Sequence, residues 1–172
     1  MTTPRARTFT LDNHTSSANM TDCRSAEHDT APSAKEHVEE YLEVLRIFQE
    51  EGRELVKISW IAERLGIAKP SVVQMLKKMQ GQNYVKYLPH QGVELTSKGN
   101  GVGTRILRNH RVMEAFVRGT VGAELDGKVG CAIEHHMSED FTNTLCTWLK
   151  HPATCPHGYP IPPGKCCERL AG

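Results

Sequence analysis

Cys131, Glu134 and His135 stand at i, i+3 and i+4 in the segment Cys131-Ala132-Ile133-Glu134-His135-His136. On a helix this puts a thiolate, a carboxylate and an imidazole on one face, where they can converge on a divalent cation. Two further pairs have ligand spacing: His110 with Glu114 (i, i+4), and Glu40 with Glu43 (i, i+3). Any one pair alone is commonly ordinary helix-surface polarity, but three sets on three helices make a candidate metal centre. A second set of soft donors closes the chain. Cys155, His157, Cys166 and Cys167 lie in Pro-rich loops and suit tetrahedral zinc, with an iron–sulfur cluster the weaker fit. Their spacing matches no zinc-finger signature, so the competing reading is a Pro-rich loop with free thiols. Cys146, on an apolar helix, and Cys23, near the N-terminus, are read as non-ligands.

The elements that must position these residues are mainly helical. Val38, Leu42, Leu45 and Phe48 recur at three- and four-residue spacing, predicting an amphipathic helix over 35–51 that ends at Gly52. A short helix follows over 58–65, stopped by Gly66. A third starts at Pro70 and runs to about Gln80, burying Val72, Met75, Leu76 and Met79 and leaving Ser71, Gln74, Lys77 and Lys78 outward. Two strands around Pro89-His90-Gln91-Gly92 predict a hairpin. Helix, Gly-containing turn, helix and hairpin in that order predict a winged helix-turn-helix over 35–99. Its DNA-facing candidates are Lys69, Pro70, Ser71, Gln74, Lys77, Lys78, Lys86 and His90, with Gln74 suited to a bidentate adenine contact. An α-helical metal-binding and dimerisation domain is expected over 100–150, its helices spanning about 101–120 and 129–149. Phe141, Leu145, Trp148 and Leu149 there predict a homodimer face, or packing within one subunit.

Composition narrows the function. Net charge is only +1, but residues 35–54 hold seven Glu while residues 64–111 carry nine Lys or Arg against the single Glu94, so a polyanion partner, double-stranded DNA, is expected. No run of about 18 apolar residues and no signal-peptide core are present, so a cytoplasmic protein with reduced cysteines is expected. Residues 1–34, with eleven Ser and Thr, read as a disordered tail, and residues 151–172 as a Cys/His/Pro-rich segment. A metal-dependent hydrolase with Glu134 as base is disfavoured, since no H-E-x-x-H or comparable signature occurs, and no enzyme activity is expected.

From about Ala34 to Pro163 the chain resembles the DtxR/MntR family of iron- and manganese-responsive transcriptional regulators. The resemblance rests on Glu39-Glu40-Tyr41-Leu42, Ile61-Ala62-Glu63-Arg64-Leu65, Leu95-Thr96-Ser97-Lys98-Gly99 and Glu134-His135-His136-Met137-Ser138. It implies a repressor of metal-uptake genes, activated for operator binding by Fe(II) or Mn(II), in the two-domain form without an SH3-like domain. It also implies a main site of Glu40, Cys131, Glu134 and His135, with Glu43 a further ligand, and a second site that includes His110 and Glu114. The iron-type members carry a His where this chain has Gly127, so the resemblance implies a second site that is either incomplete or completed by His136, Asp126 or water. The thiolate of Cys131 favours Fe(II) and the carboxylates favour Mn(II). The alternative is a winged-helix regulator that answers an organic effector and binds DNA without metal.

Overall fold

The computed structural model describes residues 33–168, so most of the expected tail, with Cys23, lies outside the described residues. Helix α1 (Ala34–Glu50) starts where Ser33 and Glu36 form a reciprocal cap: Ser33 Oγ accepts from the Glu36 amide while the Ser33 amide donates to the Glu36 carboxylate. Helices α2 (Ile58–Leu65) and α3 (Lys69–Gly81) are joined through Gly66, whose φ of 63° ends α2 in the left-handed conformation. Strands β1 (Val85–Leu88) and β2 (Gly92–Leu95) pair antiparallel as the wing, with Leu88 opposite Gly92 and His90 at φ 64° in the tip. Val56 adds one bridge to Val93 on the other side of β2.

This half has its own core. Leu42, Ile61, Val72, Leu76, Met79 and Val93 are all fully buried together, with Leu45 beside them. Met75, expected in the buried stripe, is only partly covered and packs against the cluster's edge.

Helix α4 (Ser97–Thr120) begins four residues earlier than the sequence predicts, because Thr96 Oγ1 accepts from the Gly99 amide at 3.1 Å and starts the helix there. The stretch predicted as helical over 129–149 is broken into α5 (Gly127–Glu134) and α6 (Glu139–Trp148), since Ser138 caps α6 by accepting from the Phe141 amide. His135 and His136 therefore occupy a turn just past α5. A final turn, α7 (Lys165–Glu168), packs against α6. Val112, Met113, Met137, Leu145, Cys146, Cys155 and Ile161 form the second core.

The two halves meet where α1 crosses α4. A Cβ on Gly103 would stand 2.6 Å from the Leu42 carbonyl oxygen, so only glycine allows this approach. Gly103→Ala is expected to push α1 off α4, costing about 1–3 kcal/mol of stability in urea unfolding. The same substitution should weaken divalent-metal binding by the α1 carboxylates, as isothermal titration would register.

Candidate metal centre

Glu43 from α1, His110 from α4 and Glu134 from α5 bring ligand atoms within 4.8 Å of one another, and Cys131, Glu134 and His135 form a second such group that shares Glu134. His110 Nδ1 lies 2.6 Å from Glu134 Oε2 and its Nε2 lies 3.2 Å from Glu114 Oε1. His135 faces Cys131 Sγ with Nε2 at 3.8 Å and Glu39 Oε2 with Nδ1 at 3.0 Å. Glu39 in turn pairs with Arg105 at 2.5 Å. Among the described residues, buried Glu43 Oε1 has no hydrogen-bond partner, and a Glu43 carboxylate oxygen lies within 4.8 Å of the His110 and Glu134 ligand atoms. Oxygen, nitrogen and sulfur donors of this kind suit a divalent first-row cation.

Asn109 sets the geometry of the turn that carries His135. Its Nδ2 donates to the carbonyls of Glu134 and Met137, and its Oδ1 accepts from Thr142 Oγ1 at 2.7 Å. The residue is almost fully buried. Sequence reasoning missed it; the only available signal was a lone amide among the apolar positions of α4.

Electrostatics follows from burial. Burial and then the neighbouring Glu134 push Glu43 up to about 8. Burial disfavours the charged form of His135, but Cys131, Glu39 and Glu134 outweigh it and push that imidazole up to about 10. His110 is likewise raised, with Glu114 and Glu134 overcoming burial. Burial works against the Glu39 carboxylate, yet His135 and Arg105 hold it below its ordinary value. Metal-free, the centre is thus a set of protonated imidazoles interleaved with carboxylates.

Not every expected residue falls where the sequence places it. The α1 carboxylate on His135 is Glu39, one residue before the expected Glu40. Among the described residues Glu40 stands in none of the close ligand groups, although its charge helps raise Glu43. The His110–Glu114 pair is extended by neither His136 nor Asp126: His136 is exposed beside the Ala132 carbonyl, and Asp126 accepts from the Val129 amide. Instead Glu114 meets Cys155 and His157, with His157 Nδ1 at 3.1 Å. The expected set of Cys155, His157, Cys166 and Cys167 is accordingly divided. Cys166 and Cys167 join Cys146 and His151, because α7 folds back on α6 rather than on the 154–158 turn. Cys146, read from sequence as a non-ligand, thus belongs to a close donor group.

The eight residues expected to face DNA, Lys69, Pro70, Ser71, Gln74, Lys77, Lys78, Lys86 and His90, are all exposed on α3 and the wing. Three of the cations counted in the basic middle point inward instead. Arg105 pairs with Glu39, Arg108 donates to Cys166 Sγ at 3.2 Å, and Arg111 pairs with Glu50 at 2.6 Å.

Residues 34–93 match the iron-dependent repressor N-terminal DNA-binding domain, and residues 96–163 match the iron-dependent repressor metal-binding and dimerisation domain. The HTH-type transcriptional regulator MntR of Bacillus subtilis is 32% identical over 111 residues, 63% of this chain and 74% of that protein. The chain belongs to the iron-dependent repressor family. Another member, the iron-dependent repressor IdeR of Mycobacterium leprae, is 32% identical over 126 residues, 72% of this chain and 54% of IdeR, so the chain spans about half the length of that relative. Among solved structures of the family, a manganese-dependent transcriptional repressor in complex with manganese superposes with a TM-score of 0.66 at 28% identity, covering 74% of this chain and 60% of that one. The manganese regulator SloR gives 0.64 at 28% identity, covering 78% and 61%. The winged helix-turn-helix followed by a helical domain is thus the family's fold.

A pH dependence follows from the protons at this centre. Glu43 has a folded value of about 8 against an ordinary 4.5, so its contribution to metal-free stability is full below about 4.5 and is lost as pH rises through about 8. A cation must displace protons from Glu43, His110 and His135, so its binding strengthens over the same range. Between pH 6 and pH 8 the metal-induced rise in Tm is therefore expected to grow. Calorimetry in buffers of different ionisation enthalpy should show about three protons released per metal bound near neutrality, one each from Glu43, His110 and His135. A metal-induced Tm shift that shrinks with rising pH would contradict this assignment.

Proposed function

We propose that the chain is a metal-dependent DNA-binding transcriptional regulator, a repressor of metal-uptake genes that grips operator DNA as a homodimer when loaded with Fe(II) or Mn(II). The observation that carries this reading is that Glu43, on the first helix of the winged-helix half, meets His110 and Glu134 of the C-terminal half at a buried junction. The ligands we assign are Glu43, His110, Cys131, Glu134 and His135, with Glu40 a neighbouring carboxylate on α1 and Glu114 behind His110. When bound, a divalent cation supplies the positive charge that these buried carboxylates otherwise take from protons and neighbouring imidazoles. Glu43 then holds α1 to α4 and α5, Asn109 keeps the Glu134 turn in place, and Arg105 keeps Glu39 ionised. The thiolate of Cys131 tilts the choice towards Fe(II).

The remaining assignments rest on exposure. We assign residues 35–99 to DNA binding and residues 100–150 to metal binding and dimerisation. Gln74 on the outer face of α3 reads a base edge, while Lys69, Ser71, Lys77, Lys78, Lys86 and His90 hold phosphates and sugars. Phe141 and Trp148 are about half exposed on α6 and are placed in the homodimer interface. Among the described residues no helix is long and apolar enough to cross a membrane. A regulator of this kind works in the cytoplasm, where its operator is, and performs no catalysis.

Anaerobic titration of chelator-treated protein on a duplex from its own promoter, with Fe(II), Mn(II) and Zn(II) in separate arms, tests the proposal. Metal should raise DNA affinity, a chelator should reverse it, and Glu134→Ala should abolish the stimulation while leaving a folded dimer by light scattering. Metal-blind DNA binding would sink this reading in favour of an organic effector. On the DNA side, Gln74→Ala should cost about 1–3 kcal/mol at the operator and relax discrimination at one base pair. Lys77→Ala should instead weaken all sequences alike and reduce the salt slope by about 1 in a binding series at varied salt.

A further inference from the structure

Cys146 on α6, His151 just beyond its end, and Cys166 and Cys167 on α7 bring three thiols and an imidazole together at the edge of the second core, all donor atoms within 4.8 Å of one another. Cys146 Sγ lies 3.8 Å from Cys167 Sγ, and Cys166 Sγ lies 3.7 Å from Cys167 Sγ. His151 Nδ1 is 3.7 Å from Cys146 Sγ and 3.6 Å from Cys167 Sγ. A tetrahedral ion with bonds of about 2.3 Å to sulfur and about 2.0 Å to nitrogen sets sulfur–sulfur edges of about 3.8 Å and sulfur–nitrogen edges of about 3.5 Å. These four separations are close to both kinds of edge, and the remaining two, from Cys166 to Cys146 and to His151, lie within 4.8 Å.

Thiols in simple hydrogen-bonded contact reach similar distances, so backbone and charge must decide. Lys150 and His151 both adopt left-handed backbone, at φ 61° and 56°, although neither is glycine. Two such residues in succession are rare and persist where surrounding structure holds them. Here the His151 amide donates to the Cys146 carbonyl at 2.8 Å, which turns the imidazole back over its own helix end and onto the thiols. The charge is also answered. Arg108, buried on α4, donates from Nη2 to Cys166 Sγ at 3.2 Å, and a Cβ on Gly164 would stand 2.5 Å from that guanidinium. Glycine at 164 therefore lets the chain pass over a cation that faces the sulfurs. Three thiolates and a neutral imidazole around a divalent ion leave one net negative charge, which Arg108 balances.

We propose that Cys146, His151, Cys166 and Cys167 form a closed, four-ligand zinc site that fastens the 165–168 turn to α6 and, through Arg108, to α4. Its formation releases to solvent the protons that the three cysteines still carry and involves no redox change. With all four positions filled by protein, the site is structural and separate from the Glu43–His110–Glu134 centre. The proposal does not depend on the DNA-binding reading.

Cobalt substitution of the full chain in a Cys131→Ser background tests it, since that change removes the thiolate assigned to the Glu43–His110–Glu134 centre. Reduced protein loaded with Co(II) should show thiolate charge-transfer bands and the intense visible bands of a tetrahedral ion, and zinc should bleach them stoichiometrically. Cys146→Ser, Cys167→Ser and His151→Ala should each weaken the bands, whereas His151→Cys should retain them. Cobalt-loaded protein without thiolate bands overturns the proposal, and this outcome needs none of the Cys146, His151 or Cys167 substitutions to fold. Bands that survive in both cysteine variants overturn it, as does a Cys146–Cys167 disulfide in protein isolated under reductant.

Discussion

Burying carboxylates is the constraint on which this structure turns. Glu39, Glu43 and Glu134 are each at least 95% hidden from solvent, and they arrive from α1 and α5 at one junction beside α4. Ionised and unpaired, such groups would cost several kcal/mol each. The chain answers each differently: Glu39 has Arg105 and His135, Glu134 has His110 and His135, and Glu43 keeps its proton. Because two of the three answers rely on dissociable protons, the metal-free junction is held together by groups that a cation can displace. Permanent ion pairs with lysine or arginine throughout would have made the junction stable and unresponsive.

Helix α4 carries the second organising feature. Arg105, Arg108 and Arg111, spaced three apart, reach respectively to a carboxylate of α1, a thiol of α7, and both Glu50 and the Pro160 carbonyl. His110 and Asn109 stand between them, on Glu134 and on the turn after it. One helix thus sets the positions of the first helix, the turn that carries His135 and the C-terminal segment at once. Displacing the partners of Arg108, Arg111 or Asn109 leaves a largely buried cation or amide unsatisfied, which couples the pieces more tightly than apolar contact alone.

Much of this was legible in the sequence, and the misses share a cause. Apolar periodicity located α1, α2 and α3, and turn residues located the wing, because these signals are local to a few residues. The spacing of Cys131, Glu134 and His135 pointed to one another for the same reason, although α5 ends at Glu134 and a turn, not a helix, delivers His135. What failed depended on chain reversal. Cys146 looked like a core thiol until α7 folded back on it, and Cys155 looked like the partner of Cys166 until the 154–158 turn carried it to Glu114. The three arginines were counted as surface charge because nothing in a linear pattern shows which face of a long, amphipathic helix is doubly covered.

Helix α1 makes the link between the proposed ligand site and the proposed DNA surface short. Leu42 and Leu45 lie on its buried side in the winged-helix core, and Glu39 and Glu43 lie on the side that meets α4 and α5. One turn of a single helix therefore belongs to both environments, and no chain of intermediate contacts is needed to couple them. Moving a two-state equilibrium from 1:99 to 99:1 takes about 5.5 kcal/mol of preferential binding. Ligands supplied wholly from one half would bind metal equally in either arrangement and supply none of it. A ligand set divided between α1 on one side and α4 with α5 on the other is complete only when the halves are docked, so the division itself creates the preference. On the proposed reading, sensing rests less on the identity of any one donor than on Glu43 reaching the junction from the winged-helix half while His110 and Glu134 reach it from the other.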